Sequence, residues 1–423
     1  MSPQIVELRA NDRPFADLPE RMLNGEIFVI RNCLQEIGQF DELVGMTYDG
    51  ISDLFGNATS QRIREVGIEK IHKVLGAGDI PKLTEAIYEI AARRCFSFLR
   101  IFIDEVMMQS NRFYFERKAN VRFHLPYDCI SEQAQLFESY VKRLGPGKIT
   151  PHSPHRDSWV NHPSNAVNVW IAAGTIKSGN SLIIFPDAYR RNLRRTGMYL
   201  NKEENPGVGV TFTMNPGDVL LFNGDHLHSS EINTTDCTRH VISFRLTFEK
   251  PNYRYGHFYR YAHSAFAGGL LDKFADVPQN IAWSYIRFRT VNPIKHHTKR
   301  IVKQLAVLVG IEIRQRARPG TYGLNIADDG ASDNKTQIQG HDVLMREIKP
   351  ISRSVCVART ENNQVRAFSR YCPHNGADLS LGTILNGKIM CPWHNLPIDL
   401  ETGFSPCESL KKLEIYSGTI NDK

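Results

Sequence analysis

The chain lacks the marks of a membrane, secreted or nucleic-acid-binding protein. Its longest apolar helical stretch, Ile301 to Ile313, is broken by Lys303 and Gln304 and falls short of the roughly 20 residues that span a bilayer. Met1 to Phe15 contains no apolar run of the kind that directs secretion. The eight cysteines are scattered, and Cys33, Cys95, Cys129 and Cys237 lie far apart, so no disulfide framework is expected and a reducing cytoplasm is the predicted location. Lys plus Arg exceed Asp plus Glu by 52 to 45, an excess too small for a nucleic-acid footprint although it favours an anionic small-molecule ligand. Internal repeats and low-complexity tracts are missing too. What remains is 423 residues at 41% hydrophobic and 10% aromatic, enough for two or three domains with cores of their own.

Two short loops stand out against that background. Cys372-Pro373-His374 and Cys391-Pro392-Trp393-His394 are separated by sixteen residues. Two thiolates on one iron and two imidazoles on the other suit a [2Fe-2S] cluster with a potential of roughly −150 to +300 mV. The same four donors also suit a tetrahedral structural zinc. The flanks separate the two readings. Both loops read Cys-Pro, Gly376 follows the first pair, and Asp399-Leu400-Glu401-Thr402-Gly403 follows the second. With these flanks the C-terminal part of the chain resembles the Rieske domains of aromatic-ring oxygenases and their ferredoxins. The resemblance implies a small all-β domain with Cys372, His374, Cys391 and His394 as cluster ligands. Asn395 stands where that family usually has Gly, and Asn tolerates left-handed backbone better than most residues. Cys407 lies outside the pairs and is expected to be a packed thiol.

Upstream, residues 63–74 and 82–103 repeat apolar residues at three and four, which predicts helices packed outside a sheet. From about residue 120 to 250 the texture changes to short apolar runs between Gly, Pro and Asn, at 166–173, 181–185, 209–214, 218–222 and 240–248. Many short strands predict a β-sandwich or jelly roll. A further helix is expected over 293–308 and a polar linker over 326–336. The expected domains are therefore 1–290, a helical connector at 291–325, and 326–423.

The strand-rich region carries His155-Arg156-Asp157 and, later, His226 and His228. On an extended segment residues i and i+2 share a face, so His155 and Asp157 can bind one metal while a later strand supplies a second His. Two imidazoles and a carboxylate on one face of Fe(II) leave positions open for cosubstrate and O₂. By itself His-x-Asp is a common pattern. Its continuation is not, because His228-Ser229-Ser230 is followed by Asn233, Arg239, Ser243 and Arg245.

That stretch resembles the phytanoyl-CoA dioxygenase-like branch of Fe(II)/2-oxoglutarate oxygenases, whose fold is a double-stranded β-helix of the jelly-roll or cupin type. The resemblance implies His155, Asp157 and His228 as catalytic Fe(II) ligands, with Arg239 pairing the distal carboxylate of 2-oxoglutarate through its planar fork. Ser230 is placed to add a hydroxyl to that carboxylate. Trp170 matches a position lining the cosubstrate pocket, and a core role for it stays equally open. Only His228 puts Ser230, Asn233 and Arg239 in family register, so it is preferred over His226. His152 and His162 flank the first ligands and are expected at the surface. After Gly179 to Pro186 the family's usual Gly-Ser-His is replaced by Asp187-Ala188-Tyr189. The following loop, with Arg190, Arg191, Arg194 and Arg195, is either a solvated turn or a lid whose Arg190 and Arg194 receive an anionic substrate group.

The implied chemistry decarboxylates 2-oxoglutarate to succinate and CO₂ and hydroxylates an unactivated C–H bond of a small molecule. Asp157 disfavours halogenation, since related halogenases replace this carboxylate by a small residue. The cosubstrate brings both electrons, so stoichiometry does not require the cluster, and re-reduction of iron or a structural role are the two roles open to it. An oxygenase driven by NAD(P)H through a ferredoxin reductase is the competing class, opposed by the C-terminal position of the cluster loops and by the lack of a His-x₄-His pair in residues 120–290. An acyl-CoA hydroxylase is a further alternative. The fusion also resembles tailoring hydroxylases of cylindrospermopsin-type guanidinium alkaloid pathways. A homo-oligomer is compatible with this reading; nucleic acid and membrane are not expected as partners.

Overall fold

The computed structural model describes residues 4–76, 78–108, 112–144, 150–254, 260–270 and 343–416. The expected helix at 293–308 and linker at 326–336 lie outside the described residues. Eleven strands of the first domain are used below: β1 (Ile5–Arg9), β2 (Ile27–Arg31), β3 (Tyr114–Glu116), β4 (Asn120–His124), β5 (Val167–Ala172), β6 (Leu182–Phe185), β7 (Val210–Thr211), β8 (Val219–Asn223), β9 (Leu227–Ser230), β10 (Arg239–Thr247) and β11 (Tyr261–His263). They form a large sheet in the order β1-β2-β8-β5-β10-β3-β11, with β4 also pairing β10, and a small sheet in the order β9-β6-β7. Two facing sheets of this kind are the double-stranded β-helix.

Central strands here are buried along their whole length because both faces are covered. In β5, Val167, Val169 and Ile171 join the core under the helices, whereas Trp170 and Ala172 face the small sheet. β8 splits the same way, Val219 and Leu221 to one side and Leu220 and Phe222 to the other. The period of two thus feeds two cores from one strand. Phe98, from the helix Asp79–Met107, meets Phe244 of β10 at 4.9 Å between ring centroids, and truncating such a buried ring to Ala costs about 3–5 kcal/mol.

The N-terminal part is mostly helical and also supplies β1 and β2, which extend the large sheet; the Ile-Phe-Val-Ile run of β2 is buried on both faces. Two expectations are corrected. The segment 63–74 breaks at Gly67, whose φ of 88° no helix accommodates, into the helix Asn57–Val66 and the 3-10 turn Ile68–Lys73. The 209–214 run yields only the two-residue β7.

The second domain is all β. Strands β12 (Ile348–Pro350), β13 (Val355–Arg359), β14 (Val365–Ser369) and β18 (Ile415–Tyr416) form one antiparallel sheet, and β15 (Thr383–Leu385), β16 (Lys388–Met390) and β17 (Pro397–Asp399) form another. Cys356, Phe368, Ile389, Trp393 and Leu396 fill the core between them. Among the described residues no helix is long and apolar enough to cross a membrane.

Candidate metal centres

His155 and His228 face each other across a narrow antiparallel bridge. Each backbone amide donates to the other's carbonyl, at 3.0 and 2.9 Å. His155 Nδ1 lies 2.8 Å from the Ser153 carbonyl and His228 Nδ1 3.0 Å from that of His226. A carbonyl only accepts, so both Nδ1 atoms carry hydrogen and both Nε2 lone pairs are left for a metal. Burial holds both imidazoles below their usual pKa, which keeps them neutral. Asp157 arrives differently from the extended i, i+2 geometry expected of it: it opens the 3-10 turn Asp157–Val160, and its amide donates to the Gly224 carbonyl at 2.8 Å. Gly224 has to be small, since a Cβ there would come within 3.0 Å of the Asp157 side chain.

Donor atoms of His155, Asp157 and His228 lie within 4.8 Å of one another, and no other such trio occurs among the described residues. Burial would raise the Asp157 pKa, yet the Arg245 guanidinium beside it holds it well below the ordinary carboxylate range. Arg245 donates through Nε at 3.0 Å and Nη2 at 3.2 Å, and Asn168 Nδ2 donates at 2.8 Å. Two neutral imidazoles and one ionised carboxylate fit divalent iron. Arg245 in turn approaches Glu116 at 3.5 Å, and burial pushes that carboxyl up to about 7.

Arg239 is 1% exposed. Its Nη1 donates to the carbonyls of Asn180 (2.9 Å) and Ser181 (2.6 Å), its Nη2 lies 3.3 Å from Ser230 Oγ, and its Nε is buried without a partner. The guanidinium sits 5.9 Å from the Trp170 ring centroid. Burial and nearby Arg122 push its pKa down to about 9. Among the described residues no carboxylate hydrogen-bonds this guanidinium, and the buried Glu231, which raises its pKa from a distance, is bonded instead to the Gly179 and Ser181 amides and to Asn395, an environment that an anionic ligand relieves.

His226 sits in the turn before β9, not on its face. Its Nε2 is 2.9 Å from the Gly25 carbonyl and its ring stacks on Tyr189 at 4.3 Å. His152 and His162 are buried, at 7% and 3% exposure, against the expectation of surface roles. His152 packs 3.7 Å from the His155 ring, and neither of its nitrogens has a partner. Arg190 and Arg194 are exposed and engaged elsewhere. Arg190 donates to the Leu23 carbonyl at 2.7 Å, and Arg194 is paired with Glu204 and Glu203. Glu116, Asn168 and Gly224 were not singled out from sequence. Glu116 offers no pattern to find, whereas Asn168 is signalled by a polar residue inside an apolar strand.

The second centre is built by two loops with one hydrogen-bond pattern. Gly376 and Asn395 donate their amides to Cys372 and Cys391, at 2.8 and 3.0 Å, and Cys372 and Cys391 donate to Ala377 and Leu396, both at 2.9 Å. Gly376 and Asn395 occupy equivalent left-handed positions, φ 69° and 52°. The two thiols share a hydrogen bond and the His374 and His394 rings are 4.9 Å apart. His374 Nδ1 and both His394 nitrogens are buried with no partner, as donors reserved for metal would be. A single tetrahedral ion with bonds of about 2.0–2.3 Å would draw all four donors together, but among the described residues these four supply no trio within 4.8 Å. The set fits a two-iron cluster better than zinc. Cys407 is a buried thiol pushed up to about 12 by burial.

A double-stranded β-helix with a His, Asp, His face, joined to a small β domain with paired Cys and His loops, defines a non-haem iron oxygenase fold fused to an iron–sulfur module. Residues 104–241 match the phytanoyl-CoA dioxygenase (PhyH) family and residues 331–416 match the Rieske [2Fe-2S] domain. The chain therefore joins a phytanoyl-CoA dioxygenase domain to a Rieske domain. Curated relatives include the vanillate O-demethylase oxygenase subunit of Pseudomonas sp. (strain HR199 / DSM 7063), 38% identical over 58 residues, which are 12% of this chain and 16% of that one. Apoptosis-inducing factor 3 of Mus musculus is 32% identical over 75 residues, 17% of this chain and 12% of that one. The chain thus spans less than a fifth of the length of either relative. Similar solved structures include the epimerase SnoN in complex with Fe3+, alpha ketoglutarate and nogalamycin RO (14% identity, TM-score 0.30, 54% of this chain and 83% of that one). EctD from S. alaskensis in its apoform is another (16% identity, TM-score 0.29, 40% and 61%).

Proposed function

We propose that the protein is a 2-oxoglutarate-dependent dioxygenase that hydroxylates an unactivated C–H bond of a small polar or anionic molecule. The observation that carries this reading is one arrangement: the buried trio His155, Asp157 and His228 together with a buried Arg239 that no carboxylate among the described residues hydrogen-bonds. Iron bound there with 2-oxoglutarate supplies the oxidising power. The chain's own residues do the rest. Arg239 and Ser230 would receive the distal carboxylate of the cosubstrate, Trp170 would shape its pocket, Arg245 and Asn168 orient Asp157, and the two carbonyl-bonded imidazoles leave their Nε2 atoms to hold the metal. Arg122 and Arg239 add positive potential around the site, whereas Arg190 is bonded to the Leu23 carbonyl and Arg194 is paired with Glu203 and Glu204. Arg122 weighs electrostatically on His155, His228 and Arg239 alike.

The domain bounds are 1–290, 291–325 and 326–423, the last holding the cluster through Cys372, His374, Cys391 and His394. A cytoplasmic secondary-metabolite tailoring step, of the guanidinium alkaloid type, is the biological setting that suits a polar substrate. The test is anaerobic loading with Fe(II), followed by a succinate assay with and without 2-oxoglutarate against polar, sulfated and acyl-CoA substrates. Succinate that forms only with added 2-oxoglutarate supports the reading; turnover driven by NAD(P)H and a reductase without 2-oxoglutarate replaces it.

A further inference from the structure

The loops that carry the cluster ligands rest on the strand that carries His228. Three consecutive residues of the second loop are held by the first domain. The Ser229 hydroxyl donates to the Trp393 carbonyl at 2.7 Å, the Ile232 amide donates to the His394 carbonyl at 3.2 Å, and Asn395 Nδ2 donates to Glu231 Oε1 at 2.9 Å. The first loop is held too. Asn375 Nδ2 donates to Ser153 Oγ at 2.9 Å, and the Tyr127 ring meets His374 edge-on at 5.4 Å. Each cluster loop therefore touches a residue tied to an iron ligand: Ser229 follows His228 directly, and the Ser153 carbonyl orients His155.

These are not water-washed contacts. Ser229, Glu231 and His394 are each at most 1% exposed, and a carboxylate is buried at this cost only where it is fully bonded. Glu231 Oε2 accepts the Gly179 and Ser181 amides, both at 2.8 Å, which leaves Oε1 for Asn395. Gly would serve the left-handed backbone at 395 equally well. What Asn adds at this position is its side-chain bond across the interface.

We propose that residues 229–232 and 393–395 form a within-chain electron route between the two metal centres, with the Trp393 carbonyl to Ser229 hydroxyl bond as its crossing and the Asn395–Glu231 bond as its latch. The proposal rests on the oxygenase reading above and gives the Rieske domain the re-reduction role. The balance is one electron: the reduced cluster returns to its oxidised form, iron(III) at His155, Asp157 and His228 becomes iron(II), and no bond is made or broken. A one-electron donor of the ferredoxin or flavoprotein class recharges the cluster from the side of His374, which is partly exposed where His394 is buried.

The test uses full-length protein with an oxidised cluster and iron(III) in the first domain, held without oxygen and given one equivalent of photoreduced deazaflavin. Recovery of the oxidised cluster's visible absorbance and loss of the high-spin ferric EPR signal are followed together. The expected result is a first-order rate that does not change with protein concentration. Ser229→Ala and Asn395→Gly each slow it several-fold, while the EPR signature of the reduced cluster stays as in the wild type. A rate proportional to protein concentration, an unchanged rate in the double variant, or no cluster reoxidation at all overturns the proposal. The oxygenase reading fails by a separate result, namely no 2-oxoglutarate-dependent succinate from protein freshly loaded with iron(II), which needs no electron from the cluster.

Discussion

The two metal centres of this chain are built on opposite plans. The proposed Rieske ligands come from two loops that repeat one hydrogen-bond pattern, so each half is specified within a few residues. The proposed iron ligands come from a bridge, a 3-10 turn and a strand spread over more than seventy residues, and rest on side chains still further away, such as Glu116 and Arg245. A local centre tolerates change in the surrounding fold. A dispersed one inherits every shift of the sheet that holds it.

Asp157→Ala attacks that difference hardest. It removes a proposed ligand and leaves the buried Arg245 with only the more distant Glu116 as a carboxylate partner, so 2-oxoglutarate-dependent succinate formation is expected to vanish and unfolding stability to fall by about 3 kcal/mol. The cluster's visible spectrum is expected to persist, and its loss would show that the two centres do not form independently. Cys372→Ser is the converse: the cluster absorbance disappears, the initial succinate rate with fresh iron(II) is kept, and activity fades over repeated turnovers. An equal initial loss would place the cluster inside the catalytic cycle.

Arg239→Lys exchanges a bidentate fork for a point charge. The KM for 2-oxoglutarate is expected to rise about 10- to 100-fold, or roughly 1.4–2.8 kcal/mol, with a smaller change in kcat; steady-state kinetics at varied cosubstrate measures the split. The smallest effect lies in the local centre. Burial would raise the Asp378 pKa, but bonds from Arg370 at 2.6 Å and from Ser380 keep it below its ordinary value. A carboxylate depressed on folding adds stability above its unfolded pKa of about 3.9 and loses it as pH falls through the folded value. Asp378→Asn is expected to lower Rieske-domain stability by about 1 kcal/mol at neutral pH and to flatten the acid limb of its thermal stability profile.

The Rieske loops were legible because their chemistry is sequential: Cys-Pro-His and Cys-Pro-Trp-His need no knowledge of distant partners, and the odd residue Asn395 does take a left-handed position. The core strands were legible for a similar reason, since 166–173 and 218–222 are apolar runs too short for helices. The outcome was different for His152 and His162, expected at the surface and found buried, because their exposure depends on which segments fold over them. β2 was missed as a sheet strand for the same reason, as its partner β8 lies almost two hundred residues later, and β1 joins the sheet only through β2.

The sequence by itself determined the kinds of chemistry available: two Cys and two His in paired loops, and a His-x-Asp with a later His, Ser and Arg. Periodicity and ligand type are properties of neighbouring residues, and they survive without coordinates. Only the tertiary structure decided that Arg245 belongs to Asp157, that Arg239 is buried with no carboxylate bonded to it among the described residues, and that Asn395 reaches Glu231 just past the strand of His228. Those are distances between residues far apart in the chain. They exist only once both sheets and the Rieske loops have closed around the same buried space.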